Sequence, residues 1–250
     1  MAGIGKAFVE KTKTSLAPSD QMRGVPQPPL VLSCDPSLPR VTLPDPDAVE
    51  CGSTVKSTIR DRRSVREYSA EPLGSLDLSY LLWSTQGIRS TVAPAATFRT
   101  VPSAGARHAF ETFLSVNKIT DIEPGLYRYL ATEHSLVRTS TQPKTRSLIV
   151  KACFDQGFLA SSAVVFIWCA VVYRMTWRYG ERGYRYLYLD AGHVCENLYL
   201  AAESIGCGAC AVGAFSDDQL NRILRLDGET QFVIYLAAAG KKRPSDQAIS

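Results

Sequence analysis

Between Arg60 and Arg66 the chain sets four arginines and a serine: Arg60, Arg62, Arg63, Ser64 and Arg66. A guanidinium presents a planar fork of N–H donors that matches a phosphate, and a nearby hydroxyl adds one more. Charge alone fits a solvated basic face or a nucleic-acid contact better. The formal net charge of +4 is mild, however, and suits one bound anion rather than a nucleic-acid track.

Other groups with chemical potential lie further on. Pro102-Ser103-Ala104-Gly105 is a turn of small residues, and Arg178-Tyr179 sets a cation beside a phenol. From Gly206 to Ala214 small residues dominate, and these let a main chain approach a flat ligand closely. Cys207 and Cys210 have the spacing of a redox pair or half a zinc site. They follow a helix end instead of opening a helix, and no second pair completes a metal site. His193, in a helix with Asp190, is expected to be structural. Gly206-x-Gly208 lacks the third glycine of a dinucleotide fingerprint, and there is neither a G-K-[ST] phosphate loop nor a G-x-S-x-G elbow.

The elements that must position these groups follow from patterning. Prolines from Pro18 to Pro46 exclude a helix there and favour an extended path. The interspersed Val25, Leu30, Val31, Leu32 and Leu43 make residues 1–55 an arm laid on the surface. Residues 56–243 form the main domain, with a polar tail at 244–250. A helix is expected from about 53 through 60. A second follows with Ser75 as N-cap, Asp77 in its first turn and Gly87 as its stop. Residues 88 to 107 read as a loop. Strands are expected at 110 to 116, 125 to 130, 134 to 138 and 231 to 240, and the apolar run 163 to 173 as a buried central strand. The longest helix covers 186 to 205. Leu187, Ala191, Val194, Leu198 and Ala201 form one apolar stripe; Tyr188, Cys195, Tyr199 and Ala202 form a second. Asp190, His193, Glu196 and Asn197 are left as the polar remainder. Such a helix needs two partners, one of them plausible as another subunit. Ser216-Asp217-Asp218-Gln219 has the pattern of a capping box opening a last helix.

Hydrophobic residues make up 45% of the 250 and charged residues 21%, as in an ordinary globular domain with one sizeable core. The seven cysteines are odd in number and scattered, which fits reduced thiols in a cytoplasmic protein. The N-terminus lacks the apolar core of a secretory signal. The longest apolar run falls short of the roughly 18 residues of a membrane span, so no membrane partner is expected.

Arg62-Arg63-Ser64-Val65-Arg66-Glu67-Tyr68 resembles the R-R-S-x-R-x-[FY] motif that opens the nitroreductase-like flavin oxidoreductases. Pro102-Ser103-Ala104-Gly105 is similar to that fold's P-S-[AS]-G loop. The segments 184 to 202 and 206 to 215 resemble the R-Y-x-x-L-D-A-G-H helix and the G-x-G-x-x-A-V-G-A-F turn of one branch, the SagB/ThcOx-type dehydrogenases. The resemblance runs from about residue 56 to 241. It implies an α+β nitroreductase-like fold, with a central, mainly antiparallel sheet flanked by helices. It also implies a homodimer with FMN bound at the interface. Arg62, Arg63, Ser64 and Arg66 would hold the phosphate and pyrimidine edge, and Pro102, Ser103, Ala104 and Gly105 would reach across from the partner subunit. Gln156 would touch the flavin edge, and Val212, Gly213 and Ala214 would lie against the ring. Lys241 and Arg243 would add to the phosphate site, unless they are simply solubilising charges. The activity implied is hydride or two-electron transfer between flavin N5 and a small or peptide-linked substrate, with NADH or NADPH as candidate reductant. Alternatives are azoline-to-azole oxidation, or a non-catalytic flavin-binding subunit. The branch carries a Lys-Tyr acid/base pair where this chain has Arg178-Tyr179. Arginine binds anions or orients a substrate but is a poor proton acceptor, so Tyr179 is either the proton relay or simply a half-buried aromatic.

Overall fold

The computed structural model describes residues 3–92, 96–142 and 144–243; the tail expected at 244–250 lies outside them. The helices are α1 (Ile4–Lys11), α2 (Val55–Asp61), α3 (Ser75–Gln86), α4 (Thr145–Ala152), α5 (Phe158–Ser161), α6 (Val172–Tyr179), α7 (Gly183–Ser204) and α8 (Asp217–Leu224). The strands are β1 (Arg40–Thr42), β2 (Ile88–Val92), β3 (Ala96–Arg99), β4 (Phe110–Val116), β5 (Gly125–Leu130), β6 (Ser135–Ser140), β7 (Val164–Val171), β8 (Cys207–Val212) and β9 (Gln231–Lys241).

Seven strands make one sheet in the order β1-β6-β5-β4-β7-β9-β8, each pair antiparallel. Helices cover both faces, so the α+β architecture expected from the motifs is the one found. Successive side chains of a strand point to opposite faces. On β7, Val164, Phe166, Trp168 and Ala170 enter the layer beneath α3 and α7. Val165, Ile167 and Cys169 enter the layer with α4 and α8. A strand buried on both faces is apolar throughout, which explains the unbroken run in the sequence. That run was expected to stay extended to 173, but the chain turns helical at Val172. Val172 and Met175 are both buried, at helical spacing.

Three other expectations are corrected. Residues 88 to 107 are not all loop: β2 and β3 pair as a hairpin. Residues 89 to 92 are exposed, so no alternating apolar signal marks the strand. The N-cap of α3 is Gly74, whose N–H donates to Asp77 Oδ2 at 3.3 Å, and Ser75 is the first helical residue. Ser216 caps α8 in position only, with no side-chain bond to the helix. Gly87 does end α3, because a Cβ there would meet the Trp83 carbonyl oxygen at 2.5 Å.

The arm's proline content dictates how it attaches. Proline carries no N–H, so the segment offers mainly carbonyls. Trp177 Nε1 donates to Val25 O at 2.9 Å, Arg174 Nε to Pro29 O at 2.9 Å, and Arg128 Nη2 to Ser33 O at 3.0 Å. Beneath them Arg174 Nη2 and Glu111 Oε1 form an ion pair of 2.7 Å, each side chain no more than 5% exposed. Glu111 also accepts from Leu32 N. The arm then adds β1 to the sheet edge. The helix α1 was not expected. It is held on α7 by Phe8 edge-on to Tyr188 and by Arg185 donating to Thr12 Oγ1.

Candidate functional site

The arginine-rich motif leaves α2 in extended form and runs beside the edge strand β8. Ser64 bridges to Ala209, and Val65 N donates to Ala209 O at 2.9 Å. Tyr199, from α7, fixes the middle of this segment. Its hydroxyl accepts from Ala211 N at 2.8 Å and lies 3.0 Å from Ser64 Oγ. The Ser64 hydroxyl is exposed, where it can turn toward an incoming acceptor. The Arg62 guanidinium lies over the Tyr199 ring at 5.2 Å, and Arg66 is exposed. Arg63 is partly buried. Val212 is buried at the end of β8, while Gly213 and Ala214 are exposed in the turn beyond it. Gln156 Nε2 donates to Ala214 O at 3.0 Å and to Cys153 O, so it shapes this turn. Lys241 Nζ bonds Glu71 Oε2 at 3.2 Å, which already answers its charge.

The motif sits this close to β8 because of Gly208. A Cβ there would stand 2.5 Å from Val65 Cγ2 and 2.6 Å from Val65 Cβ. Gly208→Ala is therefore expected to lower stability by about 1–3 kcal/mol, as overpacking does. Gly213→Ala, whose new Cβ would find only Tyr235 at 4.0 Å, should leave the melting temperature unchanged. Thermal denaturation of the two variants checks this; equal melting points would show that the motif is free to move.

Most of the segment expected as a turn is instead the strand β8 (Cys207–Val212), and this disposes of the Cys207–Cys210 pair. Residues three apart on a strand face opposite sides, so the two sulfurs cannot share a metal or a disulfide. Burial pushes the Cys207 thiol up to about 12 and raises that of Cys210 as well. Among the described residues no group of three or more His, Cys, Asp or Glu could hold a metal. No helix among them is long and apolar enough to cross a membrane.

The loop Pro102-Ser103-Ala104-Gly105 is assembled elsewhere. Ser103 Oγ donates to Asp190 Oδ2 at 2.6 Å, and Ala104 N to Asp190 Oδ1 at 3.2 Å. Asp190, expected on the polar remainder of α7, is thus a buried anchor. Burial raises its pKa, and the Ser103 and Ala104 donors oppose that rise. Gly105 has φ +57, and any side chain on it would strike the Tyr179 hydroxyl. Tyr179 packs edge-on against Tyr186 at 4.8 Å, and the Arg178 guanidinium lies over the Tyr179 ring at 5.6 Å. Arg107 Nε donates to Gly105 O at 3.0 Å, and its guanidinium lies over Trp177.

Two groups of candidate residues thus exist, and one helix carries both. Asp190 holds the loop and Tyr199 holds the arginine motif. Nine residues of α-helix separate them by about 14 Å and half a turn. Within one chain they lie on opposite sides of α7. The exposed stripe between those sides includes Tyr188, Leu189, Gly192 and His193, with Tyr188 55% and Leu189 59% exposed. Sequence reasoning missed Asp190, Tyr199 and Arg107. The first two were visible only as helix positions without partners; Arg107 was a basic residue two places past the loop.

Comparison with known proteins gives the family. The model of the nitroreductase family matches residues 59–241. A Methanocaldococcus jannaschii protein assigned as a nitroreductase is 35% identical over 202 residues, covering 81% of this chain and 96% of that protein. The microcin B17-processing protein McbC of Escherichia coli is 26% identical over 148 residues, covering 56% of this chain and 53% of its own length. A solved Ralstonia eutropha structure, also assigned as a nitroreductase, superposes with a TM-score of 0.68 at 25% identity, covering 87% of this chain and 94% of that one. A match across the whole core of the fold, on the segments that carry both groups of residues, leads to one conclusion: the chain belongs to the nitroreductase family.

Proposed function

We propose that this chain is an FMN-dependent oxidoreductase of the SagB/ThcOx type, working as a homodimer in the cytoplasm. The observation that carries the reading is the half-turn between Asp190 and Tyr199 on α7. Two copies packed through the exposed stripe would bring the Gly105 loop of one to the arginine motif of the other. Apolar Tyr188 and Leu189 beside the small Gly192 suit such close helix packing. The residues present fit the cofactor. Arg62, Ser64 and Arg66 offer charge-assisted donors for a phosphate, and the space above Gly213 is open. FMN would supply the two-electron chemistry. Val212, Gly213 and Ala214 would lie along the ring, Gln156 would hold their turn, and Tyr179 would hold or pass a proton at its hydroxyl. The free cysteines suit a reducing compartment.

The purified protein should be yellow, release FMN on heating and sediment as a dimer; a colourless protein that takes up no added FMN would defeat the proposal. Arg62→Ala should weaken FMN binding by about 10–100-fold, the loss expected for a charge-assisted phosphate contact. Lys241→Ala, already paired with Glu71, should change it by no more than about twofold. Fluorescence titration of apoprotein with FMN measures both, and equal losses would mean the phosphate is held elsewhere.

The likeness to McbC supports a peptide-linked substrate, although the chain spans only about half of that relative. A non-catalytic flavin-binding subunit is the second reading, favoured by Arg178 where the branch has lysine. Photoreduced flavin that no nitroaromatic, quinone or azoline reoxidises would decide for it.

A further inference from the structure

Behind the Gly105 loop lies a cavity of about 850 Å³. Arg89, Arg99, Arg107 and Arg178 all reach its lining, and no aspartate or glutamate among the described residues does. We infer that this cavity seats an oxyanion, a carboxylate or a phosphate, carried by the molecule that exchanges electrons with the flavin. The inference rests on the flavin reading for its second half only.

Two guanidiniums converge at one point. Arg107 Nε donates to Gly105 O at 3.0 Å, and Arg178 Nε lies 3.0 Å from where a Gly105 Cβ would stand. Each has one face covered by an aromatic ring, Trp177 for Arg107 and Tyr179 for Arg178. Stacking on the flat face leaves the in-plane N–H edge free, which is the edge that takes an oxyanion. The neighbouring carboxylates are hydrogen-bonded elsewhere, Asp190 to Ser103 and Ala104, Glu111 to Arg174 and Leu32, and of the four arginines it is Arg99 that feels the Glu111 charge. His108, also in the lining, is pushed down to about 3 by burial and then by Arg99 and Arg107, so it stays neutral. Burial and the charge of Arg178 also lower the pKa of Arg107. Like charges held together over a glycine repel, and a shared anion relieves the repulsion. This also gives the arginine at position 178 a use that a proton-accepting residue could not serve.

The test is calorimetric titration of the intact protein with benzoate, phenyl phosphate and benzamide, which share a ring and differ in charge. One of the two oxyanions should bind about 10-fold or more tighter than benzamide, and which one it is tells carboxylate from phosphate. The preference should fall toward unity in Arg107→Gln and Arg178→Gln, with benzamide affinity unchanged. Equal or undetectable binding of all three ligands to the unsubstituted protein overturns the inference, whatever the variants do. A preference that survives both substitutions, in variants whose melting curves show them folded, overturns it too. Repeating the titration with and without FMN separates the two readings. Failure to load FMN would sink the flavin proposal and leave the oxyanion preference standing. In loaded protein the bound oxyanion should shift the flavin absorbance, and tight binding without a shift would remove the electron-exchanging role.

Discussion

Glu111→Ala should cost the fold about 3–5 kcal/mol, the penalty of leaving one partner of a buried ion pair alone. Glu111 and Arg174 are 5% and 3% exposed at the side chain, and their 2.7 Å contact lies under the arm. Removing the carboxylate strands a guanidinium that already has one nitrogen, Nη1, without a partner. It also takes away the acceptor of Leu32 N. Arg99 adds to the strain: burial first lowers its pKa and the nearby charge of Glu111 opposes the shift, so its guanidinium too depends on this carboxylate. Urea denaturation monitored by tryptophan fluorescence gives the number. Glu111→Gln keeps an acceptor for Leu32 N while losing the charge, and should fall between wild type and alanine. A loss below about 1 kcal/mol for alanine would mean that water reaches the site and solvates Arg174.

For activity, the largest effect is expected from Tyr179→Phe. On the proposed reading of a flavin-bearing dimer, turnover should drop by about 100-fold or more with flavin content and oligomeric state unchanged, as for loss of a positioned proton donor. The substitution is conservative in packing, since the ring's edge contact with Tyr186 at 4.8 Å needs no hydroxyl. The hydroxyl stands against Gly105 beside Arg178, so only chemistry at that atom is removed. Stopped-flow reduction and reoxidation of the flavin, compared with wild type, assigns the loss to one half-reaction. A variant within about twofold of wild type in both would reduce Tyr179 to a packing aromatic.

The sheet was legible where burial is patterned and turns are marked. The bounds of β4 and β5 coincide with the expected ones, because Asp121 to Gly125 punctuates an otherwise apolar stretch. α7 was visible from its stripe of Leu187, Ala191, Val194 and Leu198, all buried. The β2–β3 hairpin was not, because its stability comes from main-chain pairing and a few polar ties, such as Arg99 Nη1 to Gln86 Oε1 at 2.7 Å. α1 escaped because its eight residues bury nothing of their own. Within the site, the arginine motif announced itself by composition. The partition into two groups did not, since it depends on which neighbours Asp190 and Tyr199 find in space. An aspartate on a helix reads as solvated until a loop is known to hang from it.

The arm's attachment has a consequence for the helix that ends in Arg178 and Tyr179. Arg174 and Trp177 sit in the first and second turns of α6, and both hand their hydrogens to arm carbonyls at Pro29 and Val25. Gln21 N in turn donates to Trp177 O. The proline-rich segment is therefore a back wall for the Arg178–Tyr179 end of α6 rather than a tether. Cleaving it away would loosen three hydrogen-bonded seams at once and let the phenol drift from the glycine it now touches.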